Sequence, residues 1–133
     1  MKNDYIVNIV RKKELHFREA VSFRDIQEQF SLEYPYLKLD FLKSVTVMPG
    51  KQIKTEKVCA DDQISSYYRD LTRGDVTIPI DKKITQVISE MENLLCLKVI
   101  VLRRSGNVWI ETMLTKDWTL EQQNREGEYL SFH

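Results

Sequence analysis

Few residues in this chain are of types that could do chemistry, and their spacing limits what that chemistry could be. His16 alternates with Leu15 and Phe17, so it points outward from a strand, and the other histidine is His133. Cys59 and Cys96 lie 37 positions apart and share no metal-ligand spacing with either histidine. Both read as free thiols, with Cys96 buried as a small hydrophobe between Leu95 and Leu97. Asp61 and Asp62 are adjacent carboxylates, and adjacent acids ahead of an apolar periodic run cap a helix more readily than they share a proton. Gly50, Gly74, Gly106 and Gly127 stand singly at turns or helix ends, so no glycine-rich loop cradles a phosphate. No nucleophile motif is present. The expectation is no metal and no cofactor.

Glu111 is the carboxylate with most to recommend it. It falls on the same sheet face as Leu102 and Trp109, and as a general acid or base it would share a polar pocket with Gln123 and Asn124, amides on a short helix with no evident core role. The same face offers a different use. Arg103, Arg104 and Trp109 are of the residue types that dominate binding hot spots.

These residues are positioned by the stretch Leu97 to Leu114, LKVIVLRRSGNVWIETML, which reads as a β-hairpin about Ser105-Gly106. That turn sets Arg104 opposite Asn107, Leu102 beside Trp109, Val101 beside Ile110 and Val99 beside Thr112, so apolar residues meet apolar residues. A turn at Gly106-Asn107 would set Arg103 against Ile110 and Leu102 against Glu111. The first register is the one predicted.

Ahead of the hairpin, Tyr5 to Val10 is β-branched or aromatic and predicts a first strand. Ser22 with Asp25 three on caps a helix carrying Phe23, Ile26, Phe30 and Tyr34, and Pro35 stops it. Leu37, Leu39 and Phe41 alternate as the core side of a strand. Met48-Pro49-Gly50 marks a turn. Asp61 or Asp62 then starts a helix through Ile64, Tyr67, Tyr68 and Leu71, with Gly74 past its end. Val76, Ile78 and Ile80 form a strand, and Asp81 caps a helix carrying Ile84, Val87, Ile88, Met91 and Leu94. After the hairpin, Thr119-Leu-Glu-Gln122 opens a short helix toward Gly127, with a loose tail behind it.

An internal duplication runs through this order. Phe23, Ile26 and Phe30 match Ile84, Val87 and Met91 at an offset of 61, and LKLDFLK matches LKVIVLR at an offset of 60. The fold predicted is a single α+β domain over 1–133, with duplicated segments 15–43 and 76–103 and an insert over 45–75 with one helix. The two βαβ-like halves would form one ferredoxin-like sheet with helices on one face, extended by the C-terminal hairpin strand and a short helix. Pro79 conflicts with a central third strand, and a β-grasp-like variant is the alternative.

The 133 residues, 42% hydrophobic and 30% charged, suit one globular domain, and 20 Lys plus Arg against 20 Asp plus Glu give zero formal charge. That balance argues against a nucleic-acid partner, which needs excess cations. The third strand, VTIPI, also lacks the aromatic that RNA-recognition sheets stack bases on. The apolar stretch near the start is too short for a signal peptide or a membrane span, so no membrane partner and a cytoplasmic location are expected. By alternation the face opposite the helices carries Lys38, Asp40, Leu42, Thr77, Lys98, Ile100, Leu102, Trp109, Glu111 and Met113. It is half apolar and calls for cover by this chain, a second copy or a partner.

The segments SGNVWIET and DWTLEQQNREG resemble the C-terminal part of a group of small uncharacterised proteins from Bacteroidetes bacteria. The matching positions are Gly106, Asn107, Trp109, Glu111, Thr112, Asp117, Trp118, Thr119, Leu120, Gln123 and Asn124, and YPYLKLDF is similar as well. The resemblance implies no reaction. Together these readings predict a non-enzymatic binding or regulatory module that self-associates or binds a protein partner through its sheet face. The alternative is a small enzyme using Glu111 with Gln123.

Overall fold

Ser22 begins the first helix as its neighbours dictate. Its hydroxyl accepts from the Asp25 N–H at 3.2 Å while the Asp25 carboxylate accepts from the Ser22 N–H at 3.3 Å. This capping box satisfies donors that the first turn leaves without partners. The structure, a computed structural model, describes residues 13–47, 52–69 and 74–132. The strand expected at Tyr5 to Val10, the turn at Met48-Pro49-Gly50 and His133 lie outside the described residues.

Strand β1 is Glu14–Phe17, followed by α1 (Phe23–Glu33), β2 (Leu37–Val47), β3 (Gln52–Lys57) and a single 3-10 turn at Ile64–Tyr67. Then come β4 (Gly74–Thr77), α2 (Ile84–Leu94), β5 (Lys98–Ser105), β6 (Val108–Glu111), a 3-10 turn at Met113–Thr115 and α3 (Leu120–Phe132). Helices with antiparallel sheets make this an α+β chain. Among the described residues, no helix is long and apolar enough to cross a membrane.

The strands form two sheets, β1-β4 and β3-β2-β5-β6, each antiparallel. One ferredoxin-like sheet is therefore not the arrangement seen. Its expected central pair does form, but β2 and β5 pair with each other from Leu37–Leu42 to Lys98–Arg103 instead of flanking that pair. Pro79 limits the second strand of that pair. The Ile78 N–H donates to the Lys13 carbonyl, then Pro79 has no N–H to give and its carbonyl accepts from Lys82 in a turn. Strand β4 is four residues long.

Pairing registers relate the two halves. Leu15 lies opposite Val76 and Asp40 opposite Ile100, and these are the positions that correspond at offsets of 61 and 60. An antiparallel pair in which corresponding residues face each other has a local two-fold axis through it. The correspondence extends past the strands. The Phe23 and Ile84 N–H groups donate to the Asp62 and Trp118 carbonyls, and Arg24 and Thr85 donate to Ala60 and Lys116. Ile64 and Leu120 then donate back to Val21 and Lys82. Among its described residues, the segment 45–75, expected as an insert with one helix, continues β2, adds β3, makes a 3-10 turn and enters β4. It follows the path that the hairpin and turn follow after β5. Asp61 and Asp62 cap a helix, but it is α1: the Asp62 backbone carbonyl does the capping, and Asp61 pairs with Arg24 at 2.9 Å.

One core runs through both sheets. α1 packs on β2 and β1, and α2 on β5 and β4, so the helices join the sheets. Phe23, Ile26 and Phe30 of α1 are buried against Leu37, Leu39 and Phe41, as are Ile84, Val87 and Met91 of α2 against Val99 and Val101. Phe23 meets Phe41 at 4.9 Å and Tyr67 at 5.5 Å between ring centroids, both favourable tilted or edge geometries. The Tyr34 hydroxyl, buried at the end of α1, donates to the Ile78 carbonyl at 2.5 Å. Asp81 does not cap α2. The boundary residue is Lys83, whose N–H donates to Gln86 Oε1 at 3.0 Å.

Candidate functional site

The six residues singled out from sequence divide between two environments. Arg103, Gln123 and Asn124 belong to the docking of α3, whereas Arg104, Trp109 and Glu111 lie on the outer face of the four-stranded sheet.

Helix α3 opens with the capping box its sequence spells: the Gln122 N–H donates to Thr119 Oγ1 at 3.1 Å and the Thr119 N–H to Gln122 Oε1 at 2.8 Å. The next residue, Gln123, is wholly buried. Its amide donates to the Thr115 carbonyl and hydroxyl, both at 2.7 Å, and its oxygen accepts from Arg103 at 2.9 Å. Arg103 also stacks over Trp118, 5.7 Å from the ring centroid. Asn124 Oδ1 accepts from the Tyr36 N–H at 2.9 Å. These contacts fasten the helix to the sheet, and the buried Gln123 amide is engaged through both its nitrogen and its oxygen. Helix α3 does not stop at Gly127 with a loose tail, as its sequence suggested. It passes through a buried Gly127, where a Cβ would lie 2.7 Å from Tyr36 Cβ, and continues to Phe132. Glycine serves there for close approach to Tyr36 rather than as a stop.

The hairpin forms in the register not predicted. Arg104 pairs with Trp109, Arg103 with Ile110 and Leu102 with Glu111, with Ser105 opposite Val108. Gly106, at φ 61°, takes the first turn position and Asn107 the second. A two-residue turn of the hairpin type needs positive φ first, which glycine supplies without strain. Turn chemistry outweighs the apolar pairing that favoured the other register. Because the shift is by two residues, each side chain keeps its face.

Trp109 therefore stays diagonal to Leu102 on the outer face, 37% exposed, with the Lys38 ammonium 5.4 Å from its ring centroid. Asp40 is buried on this face and accepts from Lys57 at 3.4 Å. Exposed Arg104 donates through Nε to the Gly106 carbonyl at 3.0 Å. Thr77 and Met113 leave the expected face, being in the other sheet and in a 3-10 turn. Glu111 and Gln123 are not brought together. Glu111 pairs with Leu102 on the outside, while Gln123 reaches Arg103 from the core side. Glu111 lines a pocket with Ile88, Lys98 and Thr112, and Gln123 is not part of that lining.

A cluster that sequence spacing did not reveal forms across β1 and β4. His16 Nδ1 lies 2.9 Å from Asp75 Oδ1, and Arg18 reaches the same oxygen at 2.8 Å. The His16 hydrogen bond, with Arg18 beside it, holds the Asp75 carboxyl below the usual carboxylate range. Glu14 completes the one grouping among the described residues with donor atoms close enough for a metal. A cation there would have to displace Arg18, so the arrangement is better suited to an ion-pair network. Cys96 is exposed rather than buried, as is Cys59, and both are free thiols.

Comparison of this chain with protein-family models, with curated proteins and with solved structures finds no match. The geometry is what bears on function.

Proposed function

We propose that this chain is a non-enzymatic protein-binding module that works in the cytoplasm and associates with a second copy through the outer face of its four-stranded sheet. The observation that carries the reading is Trp109, 37% exposed, diagonal to Leu102 and held under the Lys38 ammonium. A tryptophan pinned by its neighbours loses little conformational freedom on association, which is how aromatic anchors come to dominate interfaces. Two free thiols, both exposed, suit a reducing compartment.

Light scattering on wild type and Trp109→Ala at matched concentrations tests it. The expected result is a wild-type dimer and a folded variant whose dimer dissociates about 30-fold more readily, the effect of losing about 2 kcal/mol at a hot spot. A wild-type mass that stays monomeric at the highest soluble concentration, or a variant mass equal to a dimeric wild type, overturns the reading.

A further inference from the structure

The two halves treat corresponding strand edges differently. Strand β3 pairs with β2 only from Leu42 onward, and β6 with β5 only from Leu102 onward, so each long strand has a short edge that its hairpin partner leaves uncovered. In the first half α1 covers that edge. Gln27 donates its amide to the Leu39 carbonyl at 2.9 Å, and the Ser31 hydroxyl donates to the Leu37 carbonyl at 2.9 Å. In the second half the residues at an offset of 61 are Ile88 and Glu92, neither of which donates. Glu92 instead accepts from the Val99 N–H at 2.9 Å. The Val101 carbonyl is satisfied by the Thr112 hydroxyl at 2.8 Å. Among the described residues no donor reaches the Val99 carbonyl, which points to the same edge by the alternation of an antiparallel ladder.

A groove runs along this edge between α2 and the turn that follows β6. Ile88, Val99, Val101 and Met113 give it an apolar floor, and Lys98 and Lys116 stand in its lining with Glu111. Val99 lines this groove, so an N–H brought along the edge finds an acceptor there. We propose that the groove binds a short extended segment of a partner protein. Its backbone N–H completes the Val99 carbonyl, an apolar side chain covers Ile88 and Met113, and acidic side chains meet Lys98 and Lys116. This is a limited form of strand addition at a sheet edge, with one main-chain hydrogen bond and apolar contact for affinity and flanking charge for selection. It uses the edge of β5 and does not depend on self-association through Trp109.

The first half supplies the test variant. Ile88→Gln places at the second edge the amide that Gln27 places at the first, and should close it while keeping the fold. The probe is a terminally blocked peptide of three valines between two glutamates, titrated into isotope-labelled protein while backbone amide shifts are followed. Saturable shifts confined to Lys98–Val101 and Thr112–Lys116 are expected, weakened at least about tenfold in Ile88→Gln and about as much when lysines replace the glutamates of the peptide. Absence of saturable shifts there, or equal binding by Ile88→Gln, overturns the proposal, and equal binding of the lysine peptide overturns its acidic component. Should Ile88→Gln fail to fold, the surface variant Lys98→Glu with Lys116→Glu decides: retained affinity for the glutamate peptide sinks the proposal.

Discussion

Arg103 and Gln123 meet across the junction of β5 and α3, the guanidinium donating to the amide oxygen at 2.9 Å while the amide nitrogen holds Thr115. One buried side chain thus ties together the strand, the turn after the hairpin and the last helix. Gln123→Ala should cost about 2 to 3 kcal/mol, because it leaves the Thr115 carbonyl without its donor and Arg103 without its acceptor in a buried place. Gln122→Ala, at the exposed cap one residue earlier, should cost about 1 kcal/mol. Urea unfolding with an unchanged slope measures both.

Gly127→Ala sets two effects against each other. Alanine improves helix propensity by about 1 kcal/mol, yet its Cβ would sit 2.7 Å from Tyr36 Cβ and 3.1 Å from the Tyr36 carbonyl oxygen. Neither is the far end of a flexible side chain, so α3 must lift from the backbone at Tyr36, at about 1 to 3 kcal/mol. The net should be a loss of about 1 kcal/mol, seen as a lower midpoint of thermal unfolding.

Gly106→Ala should also destabilise by about 1 kcal/mol, for the opposite reason. Nothing lies within 4 Å of its would-be Cβ, but φ is 61°. The cost is purely conformational, so Gly106→Asn, which tolerates the left-handed region, should recover most of it. Chemical denaturation of both variants makes the comparison.

The Asp75 carboxyl is held below its usual range by His16 and then by Arg18. A carboxylate depressed in the folded state stabilises above its unfolded value of about 4 and loses that contribution as the pH falls through the folded value. Asp75→Asn should therefore unfold at lower urea than wild type near neutral pH, with the gap closing in acid. Added salt should narrow it too, since the pair is exposed.

Local rules were legible in the residues. Ser22 with Asp25 and Thr119 with Gln122 announce their caps, and both boxes form. Leu37, Leu39 and Phe41 alternate, and all three are buried. Apart from Thr77 and Met113, the outer face was read correctly even though the hairpin register was not, since a shift of two residues preserves side. The run from Ile64 shows why apolar spacing can mislead, its last expected position, Leu71, lying outside the described residues. Ile64 is buried and Tyr67 packs on Phe23, yet only one 3-10 turn forms in 64–67. Those side chains serve the start of α1, a demand that local spacing does not record.

The sequence by itself determined which residues are apolar on which face, where α1 and α3 begin, and that one strand–helix–strand order occurs twice. Only the tertiary structure decided that β2 pairs with β5 while β1 pairs with β4, that Gln123 is a buried tie instead of a ligand contact, and that Glu111 stands apart from it. The reason is physical. Caps and faces depend on neighbours a few residues away, whereas strand pairing and the partners of a buried amide depend on groups brought together by the whole fold, each competing for the same few donors and acceptors.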